Sequence, residues 1–91
     1  ADVNLDNLLS ALAKKEFTTV KNWVVQHMDN DPSSVMRKIY DSLYGVLKPP
    51  SIPEAVLIMA KYMKDITLVP DQEINMLACL TEIMMSCEFK K

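Results

Sequence analysis

Two cysteines, one histidine and a short acidic run are where this 91-residue sequence comes nearest to metal, redox or acid–base chemistry, and their spacing serves none of it. Cys79 and Cys87 fall in one helical segment, about 12 Å apart along the axis at the helical rise. That is too far for a disulfide, so both are expected as reduced thiols. His27 has no cysteine or carboxylate at a metal-ligand spacing on its helix face and reads as a packing residue. One histidine and two such cysteines assemble no zinc set without carboxylates. Asp29-Asn30-Asp31 resembles the start of a calcium loop, but the sixth position is Ser34 where glycine is needed and the twelfth is Tyr40 where glutamate is needed, so the run reads as helix capping. Gly45 is the single glycine, which leaves no glycine-rich phosphate loop, and neither a nucleophile elbow nor a serine–histidine pairing can be read. The seven methionines, 28, 36, 59, 63, 76, 84 and 85, raise the idea of an adaptable binding groove. Most fall on inward stripes, where methionine fills core gaps. No catalytic, cofactor-binding or metal-binding residue is expected.

Composition narrows the class further. A net charge of −2 and a pI near 5.2 run against a domain that grips phosphates, which concentrates Lys and Arg on one face. The basic pairs Lys14-Lys15, Arg37-Lys38 and Lys90-Lys91 are scattered, and this disfavours a helix-turn-helix DNA binder. With 49% apolar and 24% charged residues, the chain has enough apolar side chains to offset its ordering entropy. Its length suits one domain with one core. There is no charged-then-apolar leader and no apolar stretch longer than residues 55–60. The expectation is therefore an intracellular, cytoplasmic protein with no membrane partner. The chain opens on Ala1, which suggests a fragment of something longer.

Stepping through the prolines and the glycine divides the chain into five helical segments. The first, about 5–13, aligns Leu5, Leu8, Leu9 and Leu12 at helical spacing after Asn4 as N-cap. The second, about 16–28, puts Phe17, Val20, Val24 and Met28 on one stripe with Trp23 and Val25 flanking it. Asp31-Pro32 caps and opens the third, which turns Val35, Met36, Ile39, Tyr40, Leu43 and Leu47 inward and stops before Pro49-Pro50. Ser51-Ile52-Pro53-Glu54 has the form of a capping box for the fourth, whose inner face is Ile52, Ala55, Val56, Met59, Tyr62, Met63 and Ile66, with Leu57 outside among Lys61 and Lys64. The fifth runs from Pro70 or Asp71 to about Phe89. No alternating pattern of useful length exists, so the fold class is all-α with strand content near zero.

The fifth helix carries more apolar surface than a lone surface helix needs, since a stripe of about 100° suffices there. Met76, Leu77, Leu80, Ile83, Met84 and Cys87 cover one broad arc, while Ile74, Ala78 and Met85 form a second stripe. Either this helix is central and packed on two sides, or one stripe closes the core and the other meets another chain. Trp23 and Leu57, apolar and off their helices' core stripes, favour the second reading. On it, Trp23, Leu57, Met76, Leu80 and Ile83 are the candidate subunit contacts.

The opening Asn4-Leu5-Asp6-Asn7-Leu8-Leu9-Ser10-Ala11-Leu12, Ile39-Tyr40, Pro50-Ser51-Ile52, the run Glu73-Ile74-Asn75-Met76-Leu77-Ala78-Cys79-Leu80 and the closing Cys87-Glu88-Phe89-Lys90 together resemble a known family. The chain is similar, over essentially its whole length, to the C-terminal collar domain of clamp-loader small subunits of the replication factor C type, above all those of T-even-like bacteriophages. The resemblance implies that residues 1–91 form the helical collar, or oligomerisation domain, at the end of a longer AAA+ protein. Such a collar joins subunits into a ring beneath which ATPase modules open a sliding clamp and place it on primed DNA. It implies that the ATP and magnesium sites belong to modules outside this sequence. Sliding clamp and primer-template DNA are then partners only through the whole protein, in host cytoplasm if the source is a phage. The alternative is a free-standing helical adaptor that docks one partner helix in a Met-lined groove.

Overall fold

A computed structural model describes residues 5–64 and 66–90. It is all-α: α1 (Asp6–Lys14), α2 (Phe17–Gln26), α3 (Pro32–Val46), α4 (Ile52–Met63) and α5 (Gln72–Ser86), with one 3-10 turn, Pro49–Ser51, leading into α4. The expected cap Asn4 lies outside the described residues.

Helix α1 buries Leu8, Ala11 and Leu12 and stops abruptly, because Lys15 turns left-handed at φ 59°. The amides of Lys15 and Glu16 fold back onto the carbonyls of Leu12 and Ala11, at 3.2 and 2.9 Å, a Schellman ending that glycine ordinarily supplies. Lysine accepts that strained backbone here while its ammonium, 2.6 Å from the Met84 carbonyl, satisfies an orphan acceptor in the last turn of α5.

Helix α2 buries Val20, Trp23 and Val24. At its end His27 stacks on Trp23, ring centroids 4.0 Å apart. Its Nδ1–H donates to the Trp23 carbonyl at 2.7 Å, since a carbonyl can only accept. Helix α3 starts as the sequence implies: the Asp31 carboxylate accepts the Ser34 amide at 3.0 Å, and Pro32 fills a first-turn position whose amide would have no partner.

The start of α4 differs from expectation. Ser51 is not a capping-box serine: it continues the 3-10 turn with helical dihedrals and makes no cap bond, whereas an N-cap needs extended backbone. Its hydroxyl instead accepts the Glu88 amide at 2.8 Å. The buried face of α4 is Ala55, Ile58 and Met59; Ile58 was not on the expected inner stripe. The helix ends at Met63, so Ile66 is buried from the turn that follows it.

Helix α5 is capped by Asp71, which accepts the Ile74 amide at 3.2 Å. It ends at Ser86, three residues short of expectation. The tail is extended and pairs with the end of α3: Lys48 N–H donates to Glu88 at 2.9 Å and Lys90 N–H to Val46 at 2.7 Å. Around Leu47 and Phe89 this is the one β-bridge among the described residues.

Helix α5 packs chiefly on α4 and α2, and less extensively on α1 and α3. Leu8, Leu12, Val20, Val24, Ile39, Leu43, Met76, Leu80 and Ile83 are all but sealed from solvent in one continuous core. No helix among the described residues is long and apolar enough to cross a membrane.

Candidate interaction surface

The two apolar stripes of α5 have opposite fates. Met76, Cys79, Leu80, Ile83 and Met84 are buried in the core shared with the other helices. The second stripe faces out: Ile74 is 64% and Met85 71% exposed, with Ala78 and Thr81 partly covered between them. The steps from 74 to 78, 81 and 85 are four, three and four residues, the spacing that keeps side chains on one seam against a partner helix. Phe17, at the start of α2, joins Ile74, Leu77, Ala78, Thr81 and Met85 in lining an open apolar groove of about 530 Å³. A second hollow beyond Ile74 and Ala78, walled by Val69 and Pro70, extends it past the N-terminus of α5.

The opposite rim is polar and fixed. Lys61 on α4 reaches both oxygens of Glu82, at 2.8 and 3.0 Å, and the Tyr62 hydroxyl donates to Glu82 at 2.9 Å. These donors, Lys61 first, hold the Glu82 carboxyl below the usual carboxylate range. The Glu82 carboxylate in turn raises Lys61, and burial together with that hydrogen bond raises Tyr62. Leu57, 72% exposed, lies one helical turn before Lys61 on α4 and is not among the residues that line this groove.

Of the five residues singled out as subunit contacts, Leu57 alone is at the surface. Trp23, Met76, Leu80 and Ile83 are between 0% and 5% exposed and belong to the domain's own core. Met76, Leu80 and Ile83 offer a neighbour almost no surface, and Trp23 shows only an edge, in a hollow between α1 and α2. The apolar side chains that do stand exposed together are Ile74 and Met85 on α5 with Phe17 on α2. The second stripe is visible in the sequence, whereas helical spacing puts Phe17 inward and the structure leaves it 45% exposed. Its position as the first residue of α2, where half a helical turn has no neighbour above it, is the signal that separates it from Val20 and Val24.

The residues that invited chemistry are occupied structurally. Burial pushes the Cys79 thiol up to about 12, and its Sγ lies 3.5 Å from Met59 Sδ. Cys87 sits under the Ser51 carbonyl, its thiol also raised by burial. Asp31 is spent on its cap, and no cluster of three potential metal ligands exists among the described residues. Met36, Met59, Met76 and Met84 are buried and Met85 alone of the seven is exposed, so Met85 is the one methionine that lines the groove on α5.

No protein-family model matches the chain, and no curated protein is significantly similar to it.

Proposed function

We propose that this domain is an assembly module that docks a helix of a neighbouring subunit along the outer stripe of α5. The observation that carries this reading is the exposure of Ile74 and Met85 in one apolar groove with Phe17. Isolated exposed apolar side chains are ordinary, but a contiguous apolar groove with a fixed polar rim is the form of an interaction surface. The four-three-four spacing along α5 suits a helix better than a loop or a small ligand.

The resemblance to clamp-loader collars gives this module its setting: a ring of subunits in DNA replication, with ATP hydrolysis, clamp and primer-template contacts supplied by AAA+ modules outside these residues. In that setting the fragment itself is not an enzyme and binds no cofactor. The adaptor reading uses the same groove for a foreign helix, and the two part on whether the partner is another subunit of the same ring.

The test is Met85→Glu, with Ile74→Glu as a second variant, in the intact protein, followed by sedimentation velocity and circular dichroism. Loss of assembly with helix content and melting temperature unchanged is the expected result. Full assembly with both charges in place would overturn the reading.

A further inference from the structure

Ser51 stands where two incompatible uses of one residue meet. Ser51-Ile52-Pro53-Glu54 has the sequence of a capping box, in which the serine hydroxyl accepts the amide three residues on and the acidic side chain accepts the serine amide. In the fold the hydroxyl makes no cap bond. The Ser51 amide donates instead to the Lys48 carbonyl at 2.9 Å, closing the 3-10 turn, and the hydroxyl accepts the Glu88 amide at 2.8 Å. The backbone makes the two uses exclusive: a capping serine is extended, whereas Ser51 is helical at φ −86° and ψ −14°. Glu54, exposed in the first turn of α4, has the chemistry of the second half of the box.

The other side of the exchange is residues 87–90. Few contacts hold this segment on the end of α3. They are Lys48 N–H on Glu88, Lys90 N–H on Val46, the Ser51 bond, and two side chains, Cys87 buried and Phe89 half-buried. The Lys48–Glu88 ion pair at 3.6 Å has both partners more than half exposed and adds little. Lys48, Glu88 and Lys90 are themselves exposed, so water takes over their backbone bonds when the segment lifts. Ser51 then trades two partners for two, the Glu54 carboxylate for the Lys48 carbonyl and the Glu54 amide for the Glu88 amide. What lifting gives up is chiefly the burial of Cys87 and Phe89.

We propose that residues 87–90 are a strap in equilibrium between two states. In one it is seated on Val46–Lys48 with Ser51 in the 3-10 turn; in the other it is lifted, with Ser51 and Glu54 closed as the capping box of α4. The lifted state frees the Lys48 N–H and the Val46 carbonyl, so the switch decides whether that short strand edge is open to another extended segment. Glu54 biases the equilibrium through the lifted state, because its cap bonds exist only there. This device is independent of the α5 groove.

Cys87 reports the equilibrium. It is 3% exposed within the seated strap and emerges when the strap lifts, while Cys79, 0% exposed in the core, emerges only with the whole fold. The experiment is native-state labelling of the intact protein with N-ethylmaleimide, then proteolytic cleavage after Glu82, which separates the two cysteines, and mass spectrometry of each. Burial and then the Glu54 carboxylate raise the Cys87 thiol, so Glu54→Gln and Glu54→Ala are compared with each other: both lose that charge, and only glutamine still accepts the Ser51 amide. In the parent, Cys87 is expected to react faster than Cys79. At Cys87, Glu54→Ala is expected to react about fivefold more slowly than Glu54→Gln, the effect of losing a helix cap from the state that reacts. Phe89→Ala weakens the seated state and is expected to speed Cys87 by about fivefold with Cys79 unchanged. Cys87 reacting no faster than Cys79, in the parent and in Phe89→Ala alike, would show that the segment opens only with the whole fold and would overturn the proposal. Equal Cys87 rates in Glu54→Ala and Glu54→Gln would overturn it as well, since a strap that merely frays is indifferent to the cap.

Discussion

Met84 and Met85 are the same side chain one residue apart on α5, yet the first is 4% exposed and the second 71%. Successive residues on a helix are turned by about 100°, which carries Met84 into the core and Met85 out to the surface. Composition does not distinguish the two faces: Met76, Leu80, Ile83 and Met84 lie inside, and Ile74, Ala78 and Met85 lie outside. What distinguishes them is cover. Helices α4, α2, α1 and α3 all pack on α5, and among the described residues none of them covers Ile74 and Met85 on the outer stripe.

The largest expected effect separates the faces by charge. Leu80→Glu places a carboxylate in a site that is 1% exposed, with no partner to offset its desolvation, and is expected to cost more than about 4 kcal/mol and leave the domain unfolded. Met85→Glu is expected to change stability by less than about 0.5 kcal/mol while abolishing assembly. Paired urea melts and sedimentation measure both. The milder pair Leu80→Ala and Ile74→Ala sharpens the contrast, since cavity formation makes the first cost about 3 kcal/mol and the second leaves the melt nearly unchanged. Equal destabilisation by the inner and outer members of either pair would break the comparison.

How far this division can be read from sequence depends on what fixes each element. The five helices, the Asp31-Pro32 start of α3 and the Asp71 start of α5 follow from local signals, because a cap is satisfied within four residues of itself. Ser51 carries the same kind of signal and is used otherwise, because the 3-10 turn before it and the Glu88 amide are set by how the tail returns to α3. The two stripes of α5 were also legible, and the choice between them was not: burial is decided by which helices lie on which side, a property of the whole packing. Trp23 shows the same limit. It lies off the apolar stripe of α2 yet is 5% exposed, since α1 folds back across that side through the left-handed turn at Lys15.

The ends of α5 give intermediate effects. Asp71→Ala removes the side-chain acceptor for the Ile74 amide and is expected to cost about 1 kcal/mol, loosening the end of the groove that Ile74 shapes. At the other end Lys15 has two opposed roles. Lys15→Met keeps the left-handed strain and loses the ammonium on Met84, which is expected to cost about 1 kcal/mol. Lys15→Gly loses the same bond and also relieves a backbone strain of about 1 kcal/mol, so it is expected to be the less damaging of the two. Chemical denaturation of the two variants checks the order; Lys15→Gly falling below Lys15→Met would mean that the lysine stem and not the backbone is what the turn depends on.

The smallest effect concerns the polar rim that borders the outer stripe. Glu82 is the acceptor for both Lys61 and Tyr62, and its carboxyl is held below the ordinary value. A group depressed in the folded state stabilises it above the unfolded value, about 4.3 for glutamate, and that contribution is lost as pH falls through the lower folded value. Lys61 is raised by the same contact, so its share is present below its unfolded value, about 10.4, and lost as pH rises past the folded one. Between those limits the rim is intact and stability should be flat with respect to this pair. Glu82→Gln is expected to lower the melting temperature slightly near neutral pH, because the pair is solvent-screened, and to lessen the fall in stability below pH 4.3. Because the inner face of α5 carries no titrating acid, the same acid limb is expected to persist in Leu80→Ala. Thermal melts from acid to neutral pH on the parent and both variants test this, and an acid limb unchanged by Glu82→Gln would remove the rim from the account of what orders the groove.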